Sequence, residues 1–266
     1  MELLASPLGF FIGLTLGSVG AGGSIIAVPI LVYAAGLDAK SATTASLTIV
    51  VPLAIAGIVT HWRARRVRVV PGVIFGLVGI GGSVGGSHLN RTVGSDVLLL
   101  AFAGMMVVAA WALAYHGRWR PFDGGSVISQ QPLSNAPSIL SWAGVSKITL
   151  AGSTMGFVTG FFGVGGGFLI VPILILVLGF TIDEAIGTSL LVITINSIVA
   201  LHSRLGTEVI PWDVIAPFTL AGLVGVFVGS RLARRIQSVI LIRWFAVVVL
   251  LIAAYTGVNS ILKISL

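Results

Sequence analysis

The chain has 266 residues, of which 56% are hydrophobic and only 9% charged, with a formal charge of +7. A soluble domain carries about 25% charged residues, so this inventory cannot coat a water-facing surface. Cysteine is absent, which excludes disulfides, thiolate metal sites and thiol relays. The arginines sit in short loops between apolar runs, the pattern of cytoplasmic membrane loops rather than of a nucleic-acid surface.

In chain order, Met1-Glu2-Leu3-Leu4 has no basic n-region, so the first apolar stretch is expected to stay in the mature protein. Apolar segments follow at about 3–19, 25–36, 42–61, 70–89 and 95–115. Runs such as Leu98–Leu113 have no polar face, as expected of helices surrounded by lipid. Residues 116–147 contain Pro121, Pro132, Pro137, Gly124-Gly125 and several Ser and Gln, and read as a polar linker. Apolar segments resume at about 146–162, 168–179, 185–203, 212–232 and 238–262.

The second series copies the first. Displaced by 143 positions, Gly13, Gly17, Gly20, Gly22 and Gly23 fall on Gly156, Gly160, Gly163, Gly165 and Gly166. Val28-Pro29-Ile30-Leu31 falls on Val171-Pro172-Ile173-Leu174, and Gly79, Gly82, Gly86 and Ser87 fall on Gly222, Gly225, Gly229 and Ser230. Such a fixed period marks an internal duplication.

Charge orients the copies. The loop near residue 65 holds Arg63, Arg65, Arg66 and Arg68 with no acid, whereas its equivalent holds Arg204 with Glu208 and Asp213. The next loop reverses the bias, with Arg91 and Asp96 in the first copy and Arg231, Arg234 and Arg235 in the second. Basic loops stay cytoplasmic, so the fold expected is all-α: a polytopic membrane protein of two inverted-topology repeats. The units are 1–115 and 148–266, joined by a cytoplasmic linker, with both termini periplasmic. The segment at 25–36 is only ~18 Å long as a helix, short of a ~30 Å hydrocarbon core. A hairpin with its glycines deep in the membrane is therefore expected, although full crossings distribute the charges equally well.

The glycine clusters are the most specific candidates for chemistry: Gly20, Gly22, Gly23 and Ser24 in one copy, Gly163, Gly165, Gly166 and Gly167 in the other. Broken helices at membrane depth line cavities or are buried in protein. A helix N-terminus following directly offers free N–H groups to an anion. Two inverted copies are expected to aim two such ends at one central point near the midplane. The alternative is that the glycines only let helices pack closely. The cluster Gly17–Gly23 is no dinucleotide fingerprint, because no strand precedes it, and no cofactor is expected.

Hydroxyls at the start of the third segment add Thr44 and Ser46; the second copy has Thr188 and Ser189 there, with Asn196 further on, and the copies agree at Ser46 and Ser189. They line a hydrophilic path or simply bond the preceding turn. His61 and His202 end this segment in each copy, two positions out of register. No carboxylate sits mid-span, which suits an anion carrier better than a cation pump. Nothing resembles a paired-carboxylate or Ser-His-Asp set, so the reading is a secondary anion carrier and not an enzyme, with a passive anion channel or a non-transporting membrane assembly subunit as the alternatives.

Three elements together resemble a known family. They are the Gly-x-Gly-Gly-Gly/Ser clusters followed by Val-Pro-Ile-Leu, the runs Ala42–Leu47 and Ala185–Leu190, and the Gly-x-x-Gly-x-x-x-Gly-Ser-x-Leu helices at Gly79 and Gly222. They are similar to the sulfite exporter family of the TauE/SafE type over nearly the whole chain except the linker. The resemblance implies a multi-pass bacterial inner-membrane transporter of small sulfur–oxygen anions or organosulfonates. Its partners would be a small anion and the lipid bilayer, with no nucleic acid and with room for a homodimer.

Overall fold

A computed structural model of the protein describes residues 2–20, 22–116, 142–163, 167–204, 211–233 and 247–259. The helices are α1 (Glu2–Val19), α2 (Gly22–Tyr33), α3 (Ala39–Arg63), α4 (Val69–Thr92), α5 (Ser95–His116), α6 (Trp142–Phe162), α7 (Gly167–Leu178), α8 (Ile182–His202) and α9 (Trp212–Leu232). A further helix, α10, covers Val247–Asn259. No strand occurs among the described residues. The expected all-α class therefore holds. Most of the 116–147 segment lies outside the described residues, while its edges, His116 and Trp142–Lys147, are helical.

Among the described residues, α3, α4, α8 and α9 contain spans long and apolar enough to cross a bilayer. Their outward residues are apolar: Ile55 and Val59 on α3, Val70, Leu77 and Val84 on α4, and Leu220, Val224 and Phe227 on α9 are all exposed. Such a belt is an aggregation hazard in water and an ordinary surface in lipid.

The repeat seen in the sequence is also a repeat of contacts. On α1, Gly9, Gly13 and Gly17 press against Phe218, Gly222 and Val226 of α9. On α6, Gly152, Gly156 and Gly160 press against Phe75, Gly79 and Ser83 of α4. Every one of these pairs maps onto its counterpart under the displacement of 143, with the two copies exchanged. At Gly13 and Gly156 the facing helix presents backbone, leaving no room for a Cβ, which is the small-residue packing that membrane helices use in place of a hydrophobic driving force. Each copy thus supplies its first helix to the fourth helix of the other.

Contacts that ascend together show that α1 runs parallel to α9 and α6 parallel to α4. The central pair behaves differently. Thr43, early in α3, receives the guanidinium of Arg204 just after α8, while Arg68, after α3, bonds Thr188 and Glu184, early in α8. The mates α3 and α8 are therefore antiparallel.

Local signals place the helix ends. The Asp38 carboxylate caps α3 by accepting from the N–H groups of Lys40 and Ser41. Its repeat mate Thr181 caps α8 in a full capping box with Glu184. Partial burial pushes the Asp38 carboxyl up, but hydrogen bonds from Ser41 and Lys40 outweigh it and hold the group below the usual carboxylate range. Among the described residues, Gly20, Gly36, Gly163 and Gly179 adopt positive φ, and they form two repeat pairs. Gly20 and Gly163 make the tips between α1 and α2 and between α6 and α7, a left-handed conformation that a side chain resists.

Candidate functional site

The two tips do not meet. Gly20 lies against Ile186 at the start of α8, and Gly163 lies against Thr43 at the start of α3. These starts are at opposite ends of an antiparallel pair. Gly17, one turn before the first tip, is beside His61 at the far end of α3. The 18 residues from Thr43 to His61 separate the tips by about 27 Å along α3. One central anion point between two glycine-bearing helix ends, as expected from the sequence, is therefore not what the fold makes. Each tip sits level with an end of α3: α1 runs beside α3 as far as its last turn, because the close Gly–Gly packing to α9 fixes its level.

The candidate residues divide accordingly. Gly20, Gly22, Gly23, Ser24, Thr188 and Ser189 lie at the Arg68 end. There Gly23 packs against Ile12 and Leu16 of α1, Thr188 Oγ1 accepts from the Arg68 N–H at 3.0 Å, and Ser189 Oγ donates to the Ile186 carbonyl at 2.8 Å. These are packing and capping roles. Gly163, Gly167, Thr44 and Ser46 lie at the other end. Gly165 and Gly166 lie outside the described residues.

At that second end the structure adds a residue absent from the candidates the sequence supplies. Arg204 is only 1% exposed. Its Nη1 donates to Thr43 Oγ1 at 2.7 Å and Thr44 Oγ1 at 3.3 Å, and its Nη2 donates to the Gly160 carbonyl. Two more contacts from α4 fix the same end of α6: Ser87 Oγ lies 3.4 Å from the Gly160 carbonyl, and Asn90 Nδ2 donates to the Phe161 carbonyl at 2.7 Å; Ser87 Oγ is also 3.4 Å from the Ala200 carbonyl of α8. A cation suits the carbonyl-rich C-terminus of α6. Buried charge is otherwise expensive at this depth.

In a loop beside Glu208, Arg204 reads as a topology marker, which is why sequence reasoning passes over it. The signal was in the register: the displacement of 143 puts His61 on Arg204, not on His202. The geometry agrees. His61 is also buried, and its Nε2 lies 3.4 Å from the Gly17 carbonyl, the mate of Gly160.

Toward the middle of α8 the polar lining continues. Asn196 is fully buried, and neither its Oδ1 nor its Nδ2 has a hydrogen-bond partner among the described residues. The hydroxyls of Ser197 and Ser46 are in the same state. Asn196 packs on Gly79 of α4, where Ser83 Oγ donates to its carbonyl at 3.1 Å. Its mate Leu53 packs identically on Gly222 of α9. Buried polar atoms without partners are uncommon and costly, which sets Ser46 on α3 and Asn196 and Ser197 on α8 apart from the hydroxyls that bond their preceding turn.

The relatives agree with a membrane carrier. The family model described as "Sulfite exporter TauE/SafE" matches residues 5–256. A "Probable membrane transporter protein" of Xylella fastidiosa (strain Temecula1) is 30% identical over 254 residues, covering 93% of this chain and 91% of the relative. "Probable membrane transporter protein YunE" of Bacillus subtilis is 25% identical over 268 residues, covering 95% and 97%. No solved structure matches the chain. A multi-pass membrane protein with the duplicated glycine helices described above, this chain belongs to the sulfite exporter TauE/SafE family.

Proposed function

We propose that the chain is a secondary transporter that exports small anions, sulfite or organosulfonates, along the α3–α8 pair. The observation that carries the reading is Arg204, a guanidinium held beside the Gly163 tip by Thr43, Thr44 and Gly160. A fixed cation with hydroxyls around it suits an oxyanion, and Ser46, Ser197 and Asn196 continue a polar lining toward the middle of the pair. Arg204 is closed off in this conformation, so access requires movement of the α6–α7 hairpin.

Orientation follows from charge. Arg63, Arg65, Arg66 and Arg68 after α3 share one end with Arg231 of α9, because both helices run the same way. The positive-inside rule makes that end cytoplasmic, in a bacterial inner membrane. Arg204 then lies toward the periplasm, the linker toward the cytoplasm, and the antiparallel mates α3 and α8 support inverted units. A monovalent anion leaving a cell whose interior is at −100 mV gains ~2.3 kcal/mol, enough to favour export without a coupled ion.

Liposomes containing the purified protein test this. Sulfite or a sulfonate should leave with saturable kinetics, and Arg204→Gln should slow efflux at least about tenfold while Arg204→Lys keeps part of it. Normal efflux by a folded Arg204→Gln protein overturns the site. Flux that never saturates assigns a channel instead.

A further inference from the structure

The cytoplasmic end carries a feature that transport does not use. Where the parallel helices α3 and α9 finish, a cleft of about 380 Å³ opens between them, lined by Val59, Thr60 and Arg63 on one side and Phe227 and Arg231 on the other. Its walls are zoned. Val59 and Phe227 are exposed apolar residues, 45% and 47% accessible. Arg63 and Arg231 follow each of them by four positions, on the same helix face one turn further out. Two apolar side chains thus face the hydrocarbon, with two guanidiniums directly above at headgroup level.

The arginines are not there for packing. The glycines that bring α9 onto α1 recur in α4 against α6, but the positions equivalent to Arg63 and Arg231 are Gly206 and His88. The counterpart interface, between α8 and α4, keeps the helix contact and has neither arginine. Neither arginine has an ion-pair partner among the described residues, unlike Arg66, which pairs with Asp183 at 3.3 Å, and Arg68, which pairs with Glu184 at 2.5 Å. Trp62, exposed beside Arg63, sits at the same interfacial level.

We infer that this cleft is a binding site for an anionic phospholipid of the cytoplasmic leaflet. The phosphate sits between Arg63 and Arg231, and an acyl chain runs down over Val59 and Phe227. A planar guanidinium matches phosphate bidentately, basic pockets between spanning helices suit anionic headgroups, and the apolar floor offers nothing to a free ion. The site is independent of which solute the protein carries.

Native mass spectrometry and thermal unfolding of the intact protein in mild detergent test it, with phosphatidylglycerol, phosphatidylcholine and inorganic phosphate as probes. Phosphatidylglycerol should bind and raise the unfolding temperature, while the other two should not. The double variant Arg63→Gln/Arg231→Gln should bind phosphatidylglycerol about thirtyfold more weakly, from ~1 kcal/mol per arginine. Both side chains are exposed, so the variant should fold. His88→Gln, at the equivalent position of the other copy, should bind as the wild type does. Equal binding of the two lipids, or unchanged binding by the double variant, overturns the proposal. Protection by inorganic phosphate alone reassigns the cleft to a soluble anion and overturns the lipid.

Discussion

At the end of the α3–α8 pair where Gly163 turns, the buried side chains are Arg204, Thr43, Thr44 and Ser46, with Asn196 and Ser197 toward the middle. The equivalent positions in the other half read His61, Ile186, Gly187, Ser189, Leu53 and Ala54. The backbone frame is the same: tips at positive φ, first helix on the other copy's fourth, and a basic side chain on the carbonyl of Gly17 or Gly160. Packing has been kept in both halves, whereas Thr43, Thr44, Asn196 and Ser197 are polar in only one. Duplication therefore fixed a scaffold, and the copies then diverged around the proposed Arg204 site.

That comparison can be broken at several strengths. The largest effect is expected from the shared scaffold. Gly13→Val and Gly156→Val each drive a branched side chain into facing backbone, and each should cost more than ~3 kcal/mol, the upper range for overpacking. Thermal unfolding in detergent should show the two to be similarly damaging. A large difference between them would mean that the halves do not share one packing.

Arg204→Gln and His61→Gln probe the diverged pair. The arginine donates from a charged group to Thr43, Thr44 and the Gly160 carbonyl, bonds worth about 1.5–3 kcal/mol each, whereas the contact of the histidine with the Gly17 carbonyl is long at 3.4 Å. Arg204→Gln should lower the unfolding temperature distinctly more and should alone suppress efflux. Equal losses would make the pair merely structural.

Asn196→Leu makes the second copy resemble the first. Replacing buried polar atoms without partners by an apolar group of similar shape is neutral or stabilising. The unfolding temperature should stay level or rise while anion efflux falls. A destabilised Asn196→Leu protein would show that the side chain has a structural partner after all. The reciprocal Leu53→Asn should destabilise by about 1–3 kcal/mol.

The smallest effect concerns the caps. Asp38→Ala should cost α3 about 1 kcal/mol. Because its carboxyl is held below its ordinary value, the cap contributes fully above the unfolded pKa and is lost as pH falls through the folded one. Thr181→Ala should cost α8 a similar amount, but Thr181 itself has no proton to gain. Wild-type and Asp38→Ala unfolding curves should therefore converge in acid.

Much of this architecture was legible in one dimension. Composition and unbroken apolar runs require lipid-embedded helices, since no other solvent tolerates such a surface. The displacement of 143 exposes the duplication, and the glycines at Gly20 and Gly163 announce the turns through the conformation they alone adopt easily. Asp38 and Thr181 stand where caps belong. Tertiary structure alone decided which helix each glycine face meets, because periodicity describes a helix's own faces and says nothing of a partner two hundred residues away. Packing α1 on the distant α9 set the level of the glycine tips and sent them to opposite ends. The same long-range packing turned Arg204 from a loop charge into a buried cation, since burial is a property of what surrounds a residue and not of its neighbours in the chain.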